Sequence, residues 1–100
     1  MANTFKVLFR GAASTGSTTL YTTPSATTTL ISSILVTNTD SASATYDIAL
    51  DDTAIANDVS VPANDSALLE IKQVIEAGQT IKGSASATTV KFHISGLEIS

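Results

Sequence analysis

From Thr4 to Arg10 the residues Phe5, Val7 and Phe9 alternate with Lys6, Leu8 and Arg10. A period of two predicts a strand, with Phe5, Val7 and Phe9 on one face. The Gly11 to Ser17 stretch mixes two glycines with small polar residues and reads as an exposed connection. Leu20 to Thr22 predicts a short strand ended by Pro24, which cannot donate to a ladder. Thr28 to Asn38 is rich in β-branched residues and apolar at Leu30, Ile31, Ile34, Leu35 and Val36. Apolar groups on both faces predict a central strand. The turn-forming run Asn38-Thr39-Asp40-Ser41 then predicts a hairpin into the next strand.

In the second half, Tyr46, Ile48 and Leu50 alternate with Thr45, Asp47 and Ala49, a one-sided strand closed by Asp51-Asp52. Residues 53–60 carry no clear pattern, Ile55 and Val59 being the only sizeable apolar groups. Val61 to Asp65 reads as a turn, and Ala67, Leu69 and Ile71 face inward from a following strand, with Leu68 out of phase. Gln73 to Ala77 is too short for a stable helix and reads as a turn into a strand at Gln79 to Lys82, with Gly83 to Ala87 as a connection. Val90, Phe92 and Ile94 oppose Lys91, His93 and Ser95, after which the apolar phase moves to Leu97 and Ile99. A phase reversal beside Gly96 predicts a β-bulge or kink. Seven or eight short strands at about 8–12-residue spacing predict an all-β chain: one small antiparallel β-sandwich or jelly-roll-like barrel over residues 1–100.

Composition sharpens this picture. Threonine and serine make up about 30% of the chain, and β-branched threonine favours strands over helices. With 43% hydrophobic and 14% charged residues, the 100-residue chain is compatible with one folded core. Five basic against nine acidic residues give a net charge of −4, which argues against a phosphate-backbone partner. No apolar run reaches the length of a membrane span, and Met1 to Phe9 offers neither a basic nor a continuous apolar signal region. Neither nucleic acid nor membrane is expected as a partner, nor a cleaved leader.

Candidate chemistry is sparse. With no cysteine and one histidine, most thiol, zinc and acid–base sites lack their usual parts. His93 falls on the polar face of its strand and reads as a surface side chain, without an orienting partner or nucleophile in view. Asp47, Asp51, Asp52 and Asp58 form the densest acidic region, but their spacing does not follow a calcium loop, and acidic turn residues are commonly just solvated. Asn64-Asp65-Ser66 matches the glycosylation triplet and reads as a turn. Gly11 to Gly16 lacks the lysine and hydroxyl ending of a nucleotide phosphate loop, and no serine sits in a nucleophile elbow. Tyr21, beside Pro24, is the best aromatic candidate for an edge contact, with core packing the alternative. No catalytic residue, cofactor or metal is expected, and the chain reads as non-enzymatic.

At Leu20-Tyr21-Thr22-Thr23-Pro24 and Leu30 to Asn38, the chain resembles a group of small virion structural proteins of tailed bacteriophages, common among phages of cyanobacteria. Val61 to Ser66, Glu76 to Ile81 and the ending Ala87 to Ile99 keep the same order, so the resemblance covers roughly residues 18–100. Two departures stand out: Ser25-Ala26-Thr27 follows the proline where the group more often has a glycine, and the Asp51 to Ser60 loop is shorter than in many members. The resemblance implies a β-sandwich subunit used in many copies: a capsid decoration (cement) protein bound to the major capsid protein on the virion surface, made in the host cytoplasm. A homo-oligomer, with a trimer favoured, is expected alongside. A tail, neck or baseplate accessory is the alternative, and a host-surface or glycan-binding adhesion module a second.

Overall fold

The computed structural model describes residues 3–100; Met1 and Ala2, which begin the segment read above for a leader, lie outside them. The strands are β1 (Asn3–Ala12), β2 (Thr18–Thr22), β3 (Thr28–Asn38), β4 (Ala44–Leu50), β5 (Thr53–Val61), β6 (Ser66–Leu69), β7 (Gln73–Ile75), β8 (Thr80–Ala85) and β9 (Val90–Ile99). They form two sheets with antiparallel pairings throughout. The five-stranded sheet runs β1-β9-β3-β6, with β7 following β6 along the same edge of β3, and the four-stranded sheet runs β2-β8-β4-β5. The all-β sandwich expected from the pattern is therefore what the chain forms.

The core is the seam between the sheets. Alternation delivers Ala44, Tyr46, Ile48 and Leu50 from β4, Ile81 and Ala85 from β8, Val90, Phe92 and Ile94 from β9, and Ile31, Ile34 and Val36 from β3. Tyr46 and Phe92 meet edge to face across the seam with ring centroids 6.3 Å apart. Such a pair contributes about 0.5–1.5 kcal/mol beyond its buried area. Gly83 leaves room for it, since a Cβ there would stand 2.9 Å from Leu20 Cδ1 and 3.2 Å from the Phe92 ring.

Several local expectations are corrected. The turn after β3 does not close a hairpin, because β3 and β4 belong to different sheets. Turn residues specify that the chain reverses, not which strand it meets next. Here Asn38, 1% exposed, fixes the crossing: its Nδ2 donates to the Ala42 and Val61 carbonyls, while Oδ1 accepts from the Asp40 amide and the Thr89 hydroxyl. The true hairpin is β4–β5, where Asp51 and Asp52 both take left-handed backbone angles (φ 49° and 61°) between the paired Leu50 and Thr53. Two left-handed residues make the turn whose twist matches the flanking strands, and aspartate tolerates it.

The patternless 53–60 stretch is the edge strand β5, which buries only Ala56 and Val61 and so shows no periodicity. Residues 73–75 form a three-residue strand where a turn was expected, and Gly83 to Ala85 continue β8 instead of leaving it. With β5 and β7 the count among the described residues is nine strands.

The remaining correction concerns phase. Phe5, Val7 and Phe9 do not share a face: Phe5 is 88% exposed and Val7 46%, while Leu8 is buried. The cause is a bulge in β1 at Leu8, where Val7 pairs with Ser95 and Phe9 with Ile94. A second bulge, at Ser32, interrupts β3 one position further along β9, Ile31 pairing with Gly96 and Ser33 with Ser95. The kink foreseen at Gly96 thus belongs to its two neighbours, while β9 alternates without a break from Val90 to Gly96. Beyond β3, the gap between β6 and β7 at Glu70–Lys72 falls at the same level. One line of irregularity therefore crosses the whole sheet.

Gly96 holds that line closed. A Cβ there would overlap the Leu30 carbonyl oxygen and stand 2.9 Å from Leu8 Cδ1 and 3.3 Å from Ile31 Cα. Backbone cannot yield as a flexible side-chain tip can. Gly96→Ala is expected to destabilise the fold by about 3 kcal/mol or more. Gly16→Ala, with open space around the added methyl, should stay within about 0.5 kcal/mol of wild type. Urea unfolding of both variants, followed by far-UV circular dichroism, checks the pair.

Candidate interaction surface

Because β9 does not bulge, its apolar residues after Gly96 turn outward. Leu97 pairs with Phe5 of β1 and with Leu30 of β3, and Leu30 pairs with Val74 of β7. Directly paired residues share a face of the sheet. Phe5, Leu97, Leu30 and Val74 therefore form an apolar row across four strands on the outside of the five-stranded sheet. The apolar phase change read as a bulge in β9 is the signature of this row. Phe5 and Val74 are exposed (88% and 54%), Leu97 and Leu30 half-buried.

The row has apolar company. Val7, 46% exposed, sits on the same face through its pairing with Ser95, and Leu68, 56% exposed, through its pairing with Leu35 and His93. Of the six exposed large apolar residues among those described, four belong to this face; the other two, Ile55 and Val59, lie on β5. An open depression of about 340 Å³ runs along it, lined by Phe5, Val7, Ser32 and Ser95 among others. A second open depression, about 320 Å³, is bordered by Thr37, Asn64 and Asp65.

The sheet edges are less available. β1 carries the Leu8 bulge, β2 a shift between Thr19 and Tyr21, β5 two shifts between Tyr46 and Ala49 of its partner, and the β6–β7 edge its gap. All four edges are interrupted. Irregular edges are a recognised defence against strand addition, so contact through a face is favoured over contact through an edge.

The residues singled out by sequence are dispersed. His93 is half-buried on the outer face between Arg10 and Leu35. The four aspartates serve the β4–β5 region itself: Asp47 accepts the Asp58 amide at 2.7 Å and the Ser84 hydroxyl, Asp51 accepts Gln79 Nε2, and Asp52 pairs with Lys82 at 2.8 Å. Among the described residues no group of three or more histidine, cysteine, aspartate or glutamate side chains gathers as a metal would require. No helix among the described residues is long and apolar enough to cross a membrane. Asn64 and Asp65 lie in the turn before β6, with Asn64 left-handed at φ 54°, and Ser66 opens the strand.

Tyr21 is neither a free edge aromatic nor simply core. Its hydroxyl donates to Glu98 Oε2 at 2.5 Å and accepts from the buried Thr29 at 2.9 Å, tying β2 of one sheet to β9 and β3 of the other. Lys6 Nζ, 3.4 Å from Glu98, closes the cluster. Sequence could not have found it, since its members lie 77 positions apart.

Compared with protein-family models, with curated proteins and with solved structures, the chain gives no match.

Burial, then the bond to Glu98, pushes the Tyr21 hydroxyl up to about 12, and burial also raises Tyr46. A raised folded value means that the protonated form is held by the fold, so this stability is complete below about pH 10 and falls as pH rises toward 12. Tyrosinate absorbance near 295 nm should therefore stay low through pH 10 and rise later than in the urea-unfolded chain. Tyr21→Phe should leave a single late-titrating tyrosine.

Proposed function

We propose that this protein is a non-enzymatic structural subunit of a tailed-bacteriophage virion, acting as a decoration protein that binds the outer surface of the head and bridges major capsid subunits. In that role it works as a homo-oligomer, most simply a trimer, made in the host cytoplasm and carried on the particle. The observation that carries the reading is the exposed apolar row Phe5–Leu97–Leu30–Val74. A large apolar side chain such as Phe5 at 88% exposure, continued by five further apolar groups on one sheet face, is what a subunit with a standing partner presents.

Two further features support it. The outer face of the four-stranded sheet offers hydroxyls from Thr19, Thr22, Thr45, Ser60 and Ser84, which can bond across an interface without the desolvation cost of a charge. Ala26, in the turn after Pro24, holds φ 57°, a conformation suited to the glycine that the resembling group more often has near there.

Quantitative mass spectrometry of intact particles tests the assignment. Hundreds of copies per particle are expected of a decoration protein, a few multiples of three or six would move it to the tail or baseplate, and absence would overturn the virion reading. Particles lacking the protein should release DNA at a lower temperature, because a ligand of the assembled shell stabilises it by linkage.

A further inference from the structure

We propose that the apolar face of the five-stranded sheet is covered by the β5 side of a second copy of this chain, in a head-to-tail contact. This deepens the reading of the chain as a repeated subunit and rests on it. The argument is one of charge. The outward positions of β1, β9, β3, β6 and β7 include Arg10 and Lys91 and no acidic residue, in a chain whose net charge is −4. Arg10 has no ion-pair partner among the described residues.

The opposite character sits on β5 and the turn that leads into it. Asp51 lies there outside any ion pair among the described residues, with Asp52 paired to Lys82, alongside Asp58, Ile55 and Val59. Val59 is turned to the inner side of the edge by its pairing with Tyr46. Ile55 and Val59 are the two exposed large apolar residues among the described ones that the first face does not account for. Asp58 keeps its carboxylate outside any ion pair among the described residues. One surface is thus apolar and basic, the other apolar and acidic, and a second copy supplies the complement that a single copy lacks. Two identical basic faces packed together would instead bring the Arg10 and Lys91 of both copies into one interface with no acidic residue from the outward strand positions among them. The size is adequate: four strands at about 4.8 Å spacing and ten residues at about 3.3 Å give a face of roughly 600 Å², close to the share a standard interface takes from each partner. Because β5 is an interrupted edge, its contact is made by side chains and not by adding a strand. A contact between unlike surfaces leaves one of each free at every step, so it closes into a ring or continues as a filament.

The test is solution mass by light scattering on the full chain, for wild type, Phe5→Asp and Ile55→Lys. Wild type is expected above the 10.3 kDa monomer, and each variant alone at monomer mass. An equimolar mixture of the two variants should give a species of about twice the monomer mass and nothing larger, since one retains the face and the other the β5 side. If Ile55→Lys alone stays associated, or the mixture stays monomeric while wild type associates, the head-to-tail contact is overturned and the oligomer is built otherwise. A monomeric wild type overturns both this contact and the homo-oligomer, and leaves the particle copy number to judge the virion reading. Circular dichroism establishes that each variant is folded; Val74→Asp and Asp58→Asn replace any that is not.

Discussion

The approach of the Gly96 backbone to the Leu30 carbonyl and Ile31 Cα is the constraint on which the five-stranded sheet depends. It sits between two bulged neighbours, Leu8 in β1 and Ser32 in β3, so that one strand stays regular while both flanking strands accommodate an extra residue. Each bulge sends its own strand into the opposite phase, and the regular strand carries its apolar residues across from the inner to the outer face. The result is a sheet whose apolar side changes partway along its length. Before the line of bulges, Phe92, Ile94, Ile34 and Val36 fill the core; beyond it, Phe5, Leu97, Leu30 and Val74 look outward.

Beyond the line the inner face is held differently. Ile31, Thr29 and Ile75 are buried there, but the tie to the other sheet includes a polar cluster in which Tyr21 reaches Glu98 and Thr29. A hydroxyl that both donates and accepts fixes the spacing of the two sheets more narrowly than apolar contact alone. Asn38 performs the same service at the other end, where its amide satisfies carbonyls from two connections. Both ends of the sandwich are thus fastened by hydrogen bonds, with the aromatic pair between them.

Much of the fold is legible in the sequence, for a physical reason that also explains the failures. Strands β3, β4 and the first half of β9 bury a whole face, so solvent exclusion writes a period of two into them. β5 and β7 lie at edges and bury little, and nothing in their composition marks them as strands. Phe5 and Val7 have the right period and the wrong face, because a single unpaired residue at Leu8 reverses everything before it and no local signal marks a leucine as a bulge. The glycine that does mark the place stands on the neighbouring strand. The interaction surface was least legible of all, since its row is assembled from four strands whose register only the sheet defines.

The pairing of Asn3 with Ile99 sets the order of events in folding. Among the described residues β1 finds its ladder on β9, some eighty positions further along the chain. Until β9 docks, one flank of β3 also lacks its partner, and the five-stranded sheet cannot close. Contacts of such sequence separation carry a large loop-closure cost and place all-β chains at the slow end of two-state folding. The five-stranded sheet therefore closes as a whole, when β9 arrives. Until then Phe5 and its neighbours are exposed along with the core, so the interval before closure is the one in which the chain is most open to aggregation.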